Sequence, residues 1–214
     1  MQQRTDEWLA ARAGKVTASC LDDVMASKTT AAYQNYMAKL ICERLTGKAE
    51  QTLVSAAMQR GTDLEPLARD FYVVETGAMV EEVGFYEHPA ILNSGASPDG
   101  IIGVDGLIEI KCPNTATHIK TLESKKPALK YMRQMQWQMA CTGRKWCDFV
   151  SFDDRLPEHL SFFCTRIERD DEMIAELEQA LLEILRVLKP GGTLHVVEHV
   201  LNTNNLYIQR LQHL

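Results

Sequence analysis

A stretch in the middle of the chain holds two acids and a lysine at a spacing that suits metal-assisted hydrolysis. Glu109 and Lys111 are two residues apart in a strand-like run, so their side chains point to the same face of that strand. Asp99 comes just before the preceding strand of a predicted hairpin, from where it can reach this face. We therefore expect Asp99, Glu109 and Lys111 to converge on one point.

These three residues are equipped for hydrolysis of a phosphodiester. Two carboxylates form a hard-oxygen site that suits Mg²⁺ or Mn²⁺, and a lysine beside them can hold and help to deprotonate a metal-bound water. The alternative is a surface strand with a Glu–Lys pair and an Asp-Gly turn. The apolar neighbours Leu107, Ile108 and Ile110 favour the site, because an inward-facing charged pair on such a strand is costly unless it is used.

Five sequence blocks in a fixed order extend this pattern along the chain. They are EWLAAR with GKVTAS (7–12 and 14–19), RGTDLE (60–65), SPDG (97–100), EIKCP (109–113) and YMRQMQ (131–136). Together they resemble the phage lambda exonuclease family of YqaJ-type viral recombinases, within the PD-(D/E)XK nuclease superfamily. The resemblance covers about residues 5–168 and implies a restriction-endonuclease-like core.

The resemblance also assigns roles to single residues. It implies that Asp99, Glu109 and Lys111 are catalytic and that two more residues, Glu65 and Gln134, assist them. Taken alone, Glu65 would be an exposed helix charge and Gln134 would lie on the wet face of an amphipathic helix. The implied ligands of one or two Mg²⁺ or Mn²⁺ ions are Asp99, Glu109, Glu65 and the backbone carbonyl of Ile110.

A second group of residues suits a terminal phosphate. Arg12 ends the first predicted helix and Ser19 lies in the first turn of the next, where free backbone N–H groups favour an anion. The resemblance implies that this pair binds a 5′-phosphate; the alternative is a helix-capping pair. Trp8 is expected in the core. Further candidates for contact with phosphate or DNA are Thr17, Ser97, Tyr131 and Lys15, of which Lys15 is otherwise a solvated charge.

The activity and assembly implied by the resemblance are specific. They are 5′-to-3′ digestion of one strand of linear double-stranded DNA to mononucleotides, and a 3′ overhang that passes to a single-strand-annealing recombinase in phage or prophage recombination. A homotrimeric ring is implied, with the helix 170–188 and the apolar tail as candidate contacts, unless both belong to a peripheral core. The residues proposed to face its channel are Lys15, Lys28 and Lys39.

Composition and charge restrict the other classes of protein. The chain has 214 residues, 45% of them apolar, and a net charge of −6, which suits one domain over residues 1–214. This acidity argues against a protein that coats nucleic acid, but not against a nuclease whose carboxylates hold cations. No run approaches the roughly 20 apolar residues of a membrane helix, and the polar start predicts no signal peptide. With six cysteines and no CxxC pair, we expect a cytoplasmic protein with reduced, mostly buried cysteines.

Hydrophobic periodicity predicts an α/β fold with a central mixed β-sheet flanked by helices. The predicted helices are 5–13 with Thr5 as N-cap, one that Thr17 opens, 30–46, 53–76, 127–142 and 170–188. Pro66 is expected to begin a new helix or to mark a kink. The predicted strands are 80–88, a segment around 91–94, a hairpin within 97–113, 146–153 and 159–168. Residues 193–214 fit least well and are expected to be a peripheral tail.

Two motifs near the end of the chain point elsewhere and are set aside. Residues 195–199 match the zinc motif H-x-x-E-H, but they lie in a β-branched stretch with little chain left for a third ligand. Residues 186–192 look like a late segment of S-adenosylmethionine-dependent methyltransferases, yet no G-x-G loop is present. Two other functions stay open, namely an endonuclease of the same superfamily and a non-catalytic module that binds DNA ends for recombination.

Overall fold

Helices and strands are described for residues 1–50 and 54–187 of a computed structural model. The helices are α1 (Asp6–Arg12), α2 (Leu21–Val24), α3 (Ala31–Thr46), α4 (Ala56–Thr76), α5 (Thr115–Ser124), α6 (Leu129–Thr142), α7 (Glu158–Ser161) and α8 (Asp171–Val187). The strands are β1 (Val16–Thr17), β2 (Val80–Glu81), β3 (Tyr86–Glu87), β4 (Ser94–Ala96), β5 (Gly100–Ile102), β6 (Gly106–Lys111), β7 (Trp146–Phe152) and β8 (Phe162–Glu168). A 3₁₀ turn, Ala18–Cys20, joins β1 to α2.

The main sheet has five strands in the order β2-β5-β6-β7-β8. β6 and β7 run parallel, while the other neighbours in this sheet are antiparallel, so the predicted mixed sheet between helices is confirmed. The predicted hairpin is β5–β6, with Gly100 opposite Ile108. Its second strand begins at Gly106, where a Cβ atom would lie 2.1 Å from the Trp146 ring; only glycine fits at this point.

Several elements differ from the prediction. The segment 80–88 forms two short strands in different sheets, because β3 joins β4 and β1 in a second, three-stranded sheet. α4 is one helix in which Pro66 is an interior residue, so the expectation that Pro66 begins a new helix is wrong. An interior proline removes one N–H from the ladder and its ring crowds the carbonyl four residues earlier; packing of Ala68 and Tyr72 against the main sheet offsets that cost. α5 was not predicted; Asn114 caps it by accepting a hydrogen bond from the Thr117 N–H at 2.9 Å.

The helix boundaries elsewhere follow their caps. Thr5 and Thr30 each accept a hydrogen bond from the backbone N–H three residues later, at 3.3 Å. α3 ends at Gly47, which adopts a left-handed φ of 65°. The helix that Thr17 was expected to open is instead the 3₁₀ turn followed by one turn of α2.

Three apolar clusters hold the helices to the sheets in the described chain. One lies between α4 and the main sheet, around Tyr72, Ile108 and Phe152. The second packs α6 on the main sheet, around Leu107, Met135 and Phe149. The third joins α2, α3 and α6 to α8, whose inner face is Ile174, Leu177, Leu181 and Ile184. Full burial of such a side chain contributes about 1.5–3 kcal/mol. Because α8 buries this face within its own chain, that face of the helix 170–188 is not a contact between subunits.

The structure also shows how far the cysteines are buried and whether any described helix could span a membrane. Of the six cysteines only Cys141 and Cys147 are buried, three are half-buried and Cys42 is exposed, so the expectation of mostly buried cysteines is wrong. None of the helices in the described ranges is both long and apolar enough to span a bilayer. The tail 193–214 and with it the motif at 195–199 lie outside the described residues, as do residues 188–192 of the second motif and residue 53 at the predicted start of α4.

Candidate active site

A cleft of about 680 Å³ opens between α1, α4, α6 and the end of β6. Most of the residues singled out in the sequence line it. They are Arg12, Ser19, Glu65, Ser97, Asp99, Ile110, Lys111, Tyr131 and Gln134. Glu109 adjoins the cleft through its bonds to Gln134 and Lys111. Thr17 and Lys15 are not among the lining residues.

Asp99, Glu109 and Lys111 meet at the end of β6. The Lys111 ammonium forms an ion pair with Glu109, as expected for side chains two apart on one strand. Asp99 reaches the same strand from the start of β5, where its Oδ2 accepts a hydrogen bond from the Ile110 N–H at 2.7 Å. The hairpin therefore brings the three predicted residues together.

Two glutamines of α6 hold the buried Glu109 carboxylate. Gln134 donates from Nε2 to Glu109 Oε1 at 2.7 Å, and Gln138 donates from Nε2 to Oε2 at 2.6 Å. The two amides lie one helical turn apart and so share a face of α6. Glu109 and Gln138 are both 0% exposed, so water cannot take the place of Gln138. Each oxygen of Glu109 thus has a fixed donor.

Burial and the closely spaced carboxylates of Asp99 and Glu109 shift the pKa values of Asp99 and Lys111. Burial, and then the negative charge of Glu109, raise the pKa of Asp99 well above its usual range. Burial alone would lower the pKa of Lys111, but the adjoining Glu109 and Asp99 carboxylates raise it above its usual value. Lys111 is therefore a permanent cation at neutral pH, suited to hold and orient rather than to accept a proton.

Glu65 lies on α4 between two arginines. Arg69, one turn along the helix, donates to Glu65 Oε1 at 2.9 Å, and Arg4 from the N-terminal segment forms an ion pair with Oε2. The negative charge of Glu65 also contributes to the raised pKa of Asp99. Glu65 is therefore close enough to Asp99 for the two charges to interact.

The donor atoms fit a divalent cation such as Mg²⁺. In the part of the chain that the structure describes, no group of three His, Cys, Asp or Glu side chains forms a ready-made metal cluster. The carboxylates of Asp99, Glu109 and Glu65 are instead bonded to protein donors, but each oxygen has two lone pairs. Three carboxylates beside one lysine leave an excess of negative charge, and a bound divalent cation would reduce the repulsion among them. Ile110 lines the cleft although its side chain belongs to the core.

Arg12 forms the centre of a polar pocket in the same cleft. Its guanidinium donates to Ser97 Oγ at 3.1 Å and lies 4.1 Å from the centre of the Trp8 ring. Trp8 also donates from Nε1 to Ser97 Oγ at 2.9 Å, so Trp8 is a wall of this pocket and not the core residue expected. Burial lowers the pKa of Arg12; the nearby hydroxyls of Thr17 and Ser19 lie 3.4 Å apart.

The loop behind Arg12 is held by a buried acid. Gly14 has a left-handed φ of 67°, and its N–H donates to Glu43 Oε2 at 2.8 Å. Glu43 lies on α3 and is 5% exposed. The arginine of the pocket is therefore positioned by a contact with a distant helix.

The other candidates have less direct roles. Lys15 forms an ion pair with Glu87 outside the cleft. Thr17 is buried, and Arg12 reaches its hydroxyl at 3.5 Å. Tyr131 stacks on Phe149 with the ring centres 5.6 Å apart, and the Lys111 ammonium lies 5.4 Å from its ring centre.

Sequence reasoning missed three residues of the site, namely Gln138, Gln3 and Arg4. The spacing of four residues from Gln134 could have indicated Gln138. Gln3 and Arg4 precede the first helix in an irregular segment, and no periodic pattern points to them. Both line the cleft.

Comparisons with known proteins agree on one family. The model of the YqaJ-like viral recombinase domain matches residues 7–145. Structures of the alkaline exonuclease LHK-Exo from Laribacter hongkongensis, alone and in complex with dAMP, are 61% identical over 85% of this chain and 91% of theirs, with TM-scores of 0.80 and 0.81. A phage-related exonuclease from Haemophilus somnus 129PT shares the fold at 18% identity over 79% of this chain and 91% of its own, with a TM-score of 0.61. No curated protein matches.

Proposed function

Because this chain belongs to the family of the YqaJ-like viral recombinase domain, we propose that it is a metal-dependent exonuclease that digests one strand of linear duplex DNA from its 5′ end. One observation carries the proposal: a single cleft holds both the Asp99–Lys111 end of the hydrolytic group and the Arg12 pocket. This arrangement suits an enzyme that holds a terminal phosphate while it cuts the next phosphodiester. The 61% identical alkaline exonuclease supports it.

The hydrolytic step uses the residues around β6. Asp99, Glu109, Glu65 and the backbone carbonyl of Ile110 would hold one or two Mg²⁺ or Mn²⁺ ions. Bound there, such an ion offsets phosphate charge and makes water more acidic. The Lys111 ammonium would orient the attacking water. Gln134 and Gln138 keep the Glu109 carboxylate in one orientation, so that no reorganisation is needed during the reaction.

The Arg12 pocket would set the direction of digestion. A guanidinium fork matches a phosphate dianion, and the hydroxyls of Ser19, Thr17 and Ser97 add hydrogen-bond donors. Trp8 fixes the plane of the guanidinium from one side. Tyr131 lies on the metal side of the cleft, and Lys15 would contact the duplex outside it.

The expected products define the biological setting. Each cycle would release a mononucleotide and lengthen a 3′ single-stranded overhang, which a single-strand-annealing recombinase would take up. We place the protein inside the cell, as a phage or prophage enzyme with one domain over residues 1–214 and its exonuclease part at about 5–168. A homotrimeric ring would keep such an acidic protein on its DNA.

Digestion of end-labelled duplexes tests the activity and its direction. Linear DNA is labelled at the 5′ or 3′ end, with or without a 5′-phosphate, and incubated with Mg²⁺ or EDTA. We expect Mg²⁺-dependent release of 5′ nucleotides that is faster on phosphorylated ends. Asp99→Asn should abolish cleavage, while Asp105→Asn at the tip of the same hairpin should not. Arg12→Ala should remove most of the preference for phosphorylated ends.

Other outcomes would point to the competing functions. Cleavage of a circular plasmid would indicate an endonuclease, and end binding without any cleavage would indicate a non-catalytic module. Full activity in EDTA would contradict the metal-dependent mechanism. For the assembly, light scattering during size-exclusion chromatography should give about three times the chain mass of 24.2 kDa, and a stable monomer that digests processively would contradict the ring.

A further inference from the structure

The segment before α1 is anchored to the cleft by one glutamine. Gln3 donates from Nε2 to the carbonyl of Val83 at 2.9 Å and to that of Pro98 at 2.7 Å. Pro98 directly precedes Asp99, so this anchor lies beside the proposed hydrolytic group. The hydroxyl of Thr5 closes the segment by donating to the Gln2 carbonyl at 2.8 Å. An irregular segment with these bonds holds the intervening residue in a defined place.

That intervening residue is Arg4, and its conformation is unfavourable. Its φ is 67°, in the left-handed region that costs free energy for a side chain other than Gly, Asn or Asp. This backbone directs the guanidinium into the cleft, where it forms an ion pair with Glu65. The Arg4 side chain is still 52% exposed, so it can meet a ligand in the cleft.

Stability does not explain this contact. Glu65 already has a well-buried partner in Arg69, which is 13% exposed and also bonds Glu82 at 2.6 Å. An exposed ion pair such as that of Arg4 contributes little to stability. The strained backbone therefore presents a second arginine to an acid that does not need it.

We propose that Arg4 is a DNA-backbone-binding residue that Glu65 holds in the cleft until the metal and the substrate arrive. When Glu65 is engaged in metal binding, the guanidinium loses its partner and turns to a phosphate of the strand in the cleft. An arginine fork suits that acceptor. The inference rests on the proposed function, because it assumes that Glu65 binds a cation and that the cleft binds DNA.

Opposite changes in two affinities test this exchange. Arg4→Ala should bind Mn²⁺ about threefold more tightly in isothermal titration calorimetry, because Glu65 loses a competing cation. The same variant should bind a short 5′-phosphorylated duplex about tenfold more weakly by fluorescence anisotropy, with Ca²⁺ present to prevent cleavage. Its slope of log affinity against log salt should shrink by about 0.9, which is the loss of one phosphate contact.

Three further variants separate this role from a general charge effect. Arg186→Ala removes an arginine that is paired with Glu183 on α8, outside the cleft, and should change neither affinity. Arg4→Lys keeps the charge and should restore most of the salt slope but less of the affinity, because a lysine lacks the fork. Gln3→Ala releases the anchor and should reproduce part of the loss in DNA binding.

The wild-type protein separates failure of this inference from failure of the proposed function. If wild type binds Mn²⁺ and duplex ends but Arg4→Ala changes neither affinity, the inference alone is overturned. Weaker DNA binding with unchanged Mn²⁺ affinity also overturns it, since Glu65 then holds no exchangeable partner. If wild type binds neither probe, the proposed function and the inference fall together.

Discussion

Gln138 is expected to matter more for stability than Gln134, although both donate to the same carboxylate. Gln138 is 0% exposed and donates to Glu109 at 2.6 Å. Gln134 lines the cleft, where water can take the place of its amide. Replacement of each glutamine by leucine removes one donor and keeps a similar volume, so the two variants form a matched pair.

The size of the effect follows from the hydrogen bonds. A bond to a charged group contributes about 1.5–3 kcal/mol, and Gln138→Leu would leave one oxygen of a fully buried carboxylate without its donor. Part of this loss is offset, because Gln138 Oε1 is itself buried with no hydrogen-bond partner in the described chain. We expect a net loss of about 1–2 kcal/mol, which lowers Tm by about 3–6 °C in a chain of this size. Gln134→Leu should cost less than about 1 kcal/mol.

Thermal and urea unfolding in EDTA would measure the two losses, and steady-state digestion in Mg²⁺ would measure function. For Gln138→Leu we expect a lower kcat with little change in KM, because the residue positions Glu109 and does not touch the DNA. Equal destabilisation by the two variants, or an unchanged Tm for Gln138→Leu, would refute the idea that water cannot replace the buried amide.

Three further variants should separate the charged groups. Asp99→Asn should raise Tm in EDTA at neutral pH, because a raised pKa in the folded state means that stability is lost as pH rises; thermal melts from pH 5 to 8 should show the gain growing with pH, and a lower Tm would contradict it. For Asp153 the sign is opposite: burial raises its pKa, but hydrogen bonds from Arg155 hold it well below its usual value. Asp153 therefore stabilises the folded protein above about pH 4, and this stabilisation is lost as the pH falls further. The Tm of Asp153→Asn should accordingly fall less steeply below pH 4 than that of wild type. Asp148→Ala should cost about 3 kcal/mol in urea unfolding, since it strands both the buried Tyr72 hydroxyl, which bonds Asp148 at 2.6 Å, and the Arg166 guanidinium; a loss below 1 kcal/mol would rule these bonds out as stabilising contacts.

The core of the site could be predicted because it depends on local geometry. A period of two on β6 is enough to place Glu109 and Lys111 on one face, and the predicted hairpin places Asp99, just before its first strand, beside them. Gln134, by contrast, is assigned to the site by the family resemblance, because the amphipathic pattern of α6 by itself would put it on the wet face of that helix. The strand period and the hairpin are short-range rules, and the contacts of Asp99 with Ile110 and of Lys111 with Glu109 follow them.

The parts that could not be predicted depend on contacts between distant segments. The strands β1, β3 and β4 have two or three residues each, which is too short for a period to be visible. α5 is stabilised from outside, through a fully buried His118 that bonds Ser151 at 2.7 Å and the Leu160 carbonyl at 2.8 Å. Similarly, the pairing of Arg4 with Glu65 spans 61 positions and has no signal in the sequence of either segment.

The distribution of charge explains how an acidic chain can be built to hold DNA. The lysines expected to face a channel are each paired with a carboxylate, Lys15 with Glu87, Lys28 with Glu183 and Lys39 with Glu43. The cleft itself is lined by four cations, Arg4, Arg12, Lys111 and Lys130, of which Arg4 and Lys111 form ion pairs with Glu65 and Glu109. Binding of metal ions by those carboxylates would free both cations for phosphate and concentrate the attraction to DNA in the cleft. A net charge of −6 is therefore compatible with a DNA-processing enzyme, because the field inside the cleft depends on its own cations, carboxylates and the proposed metal ions and not on the sum over the chain.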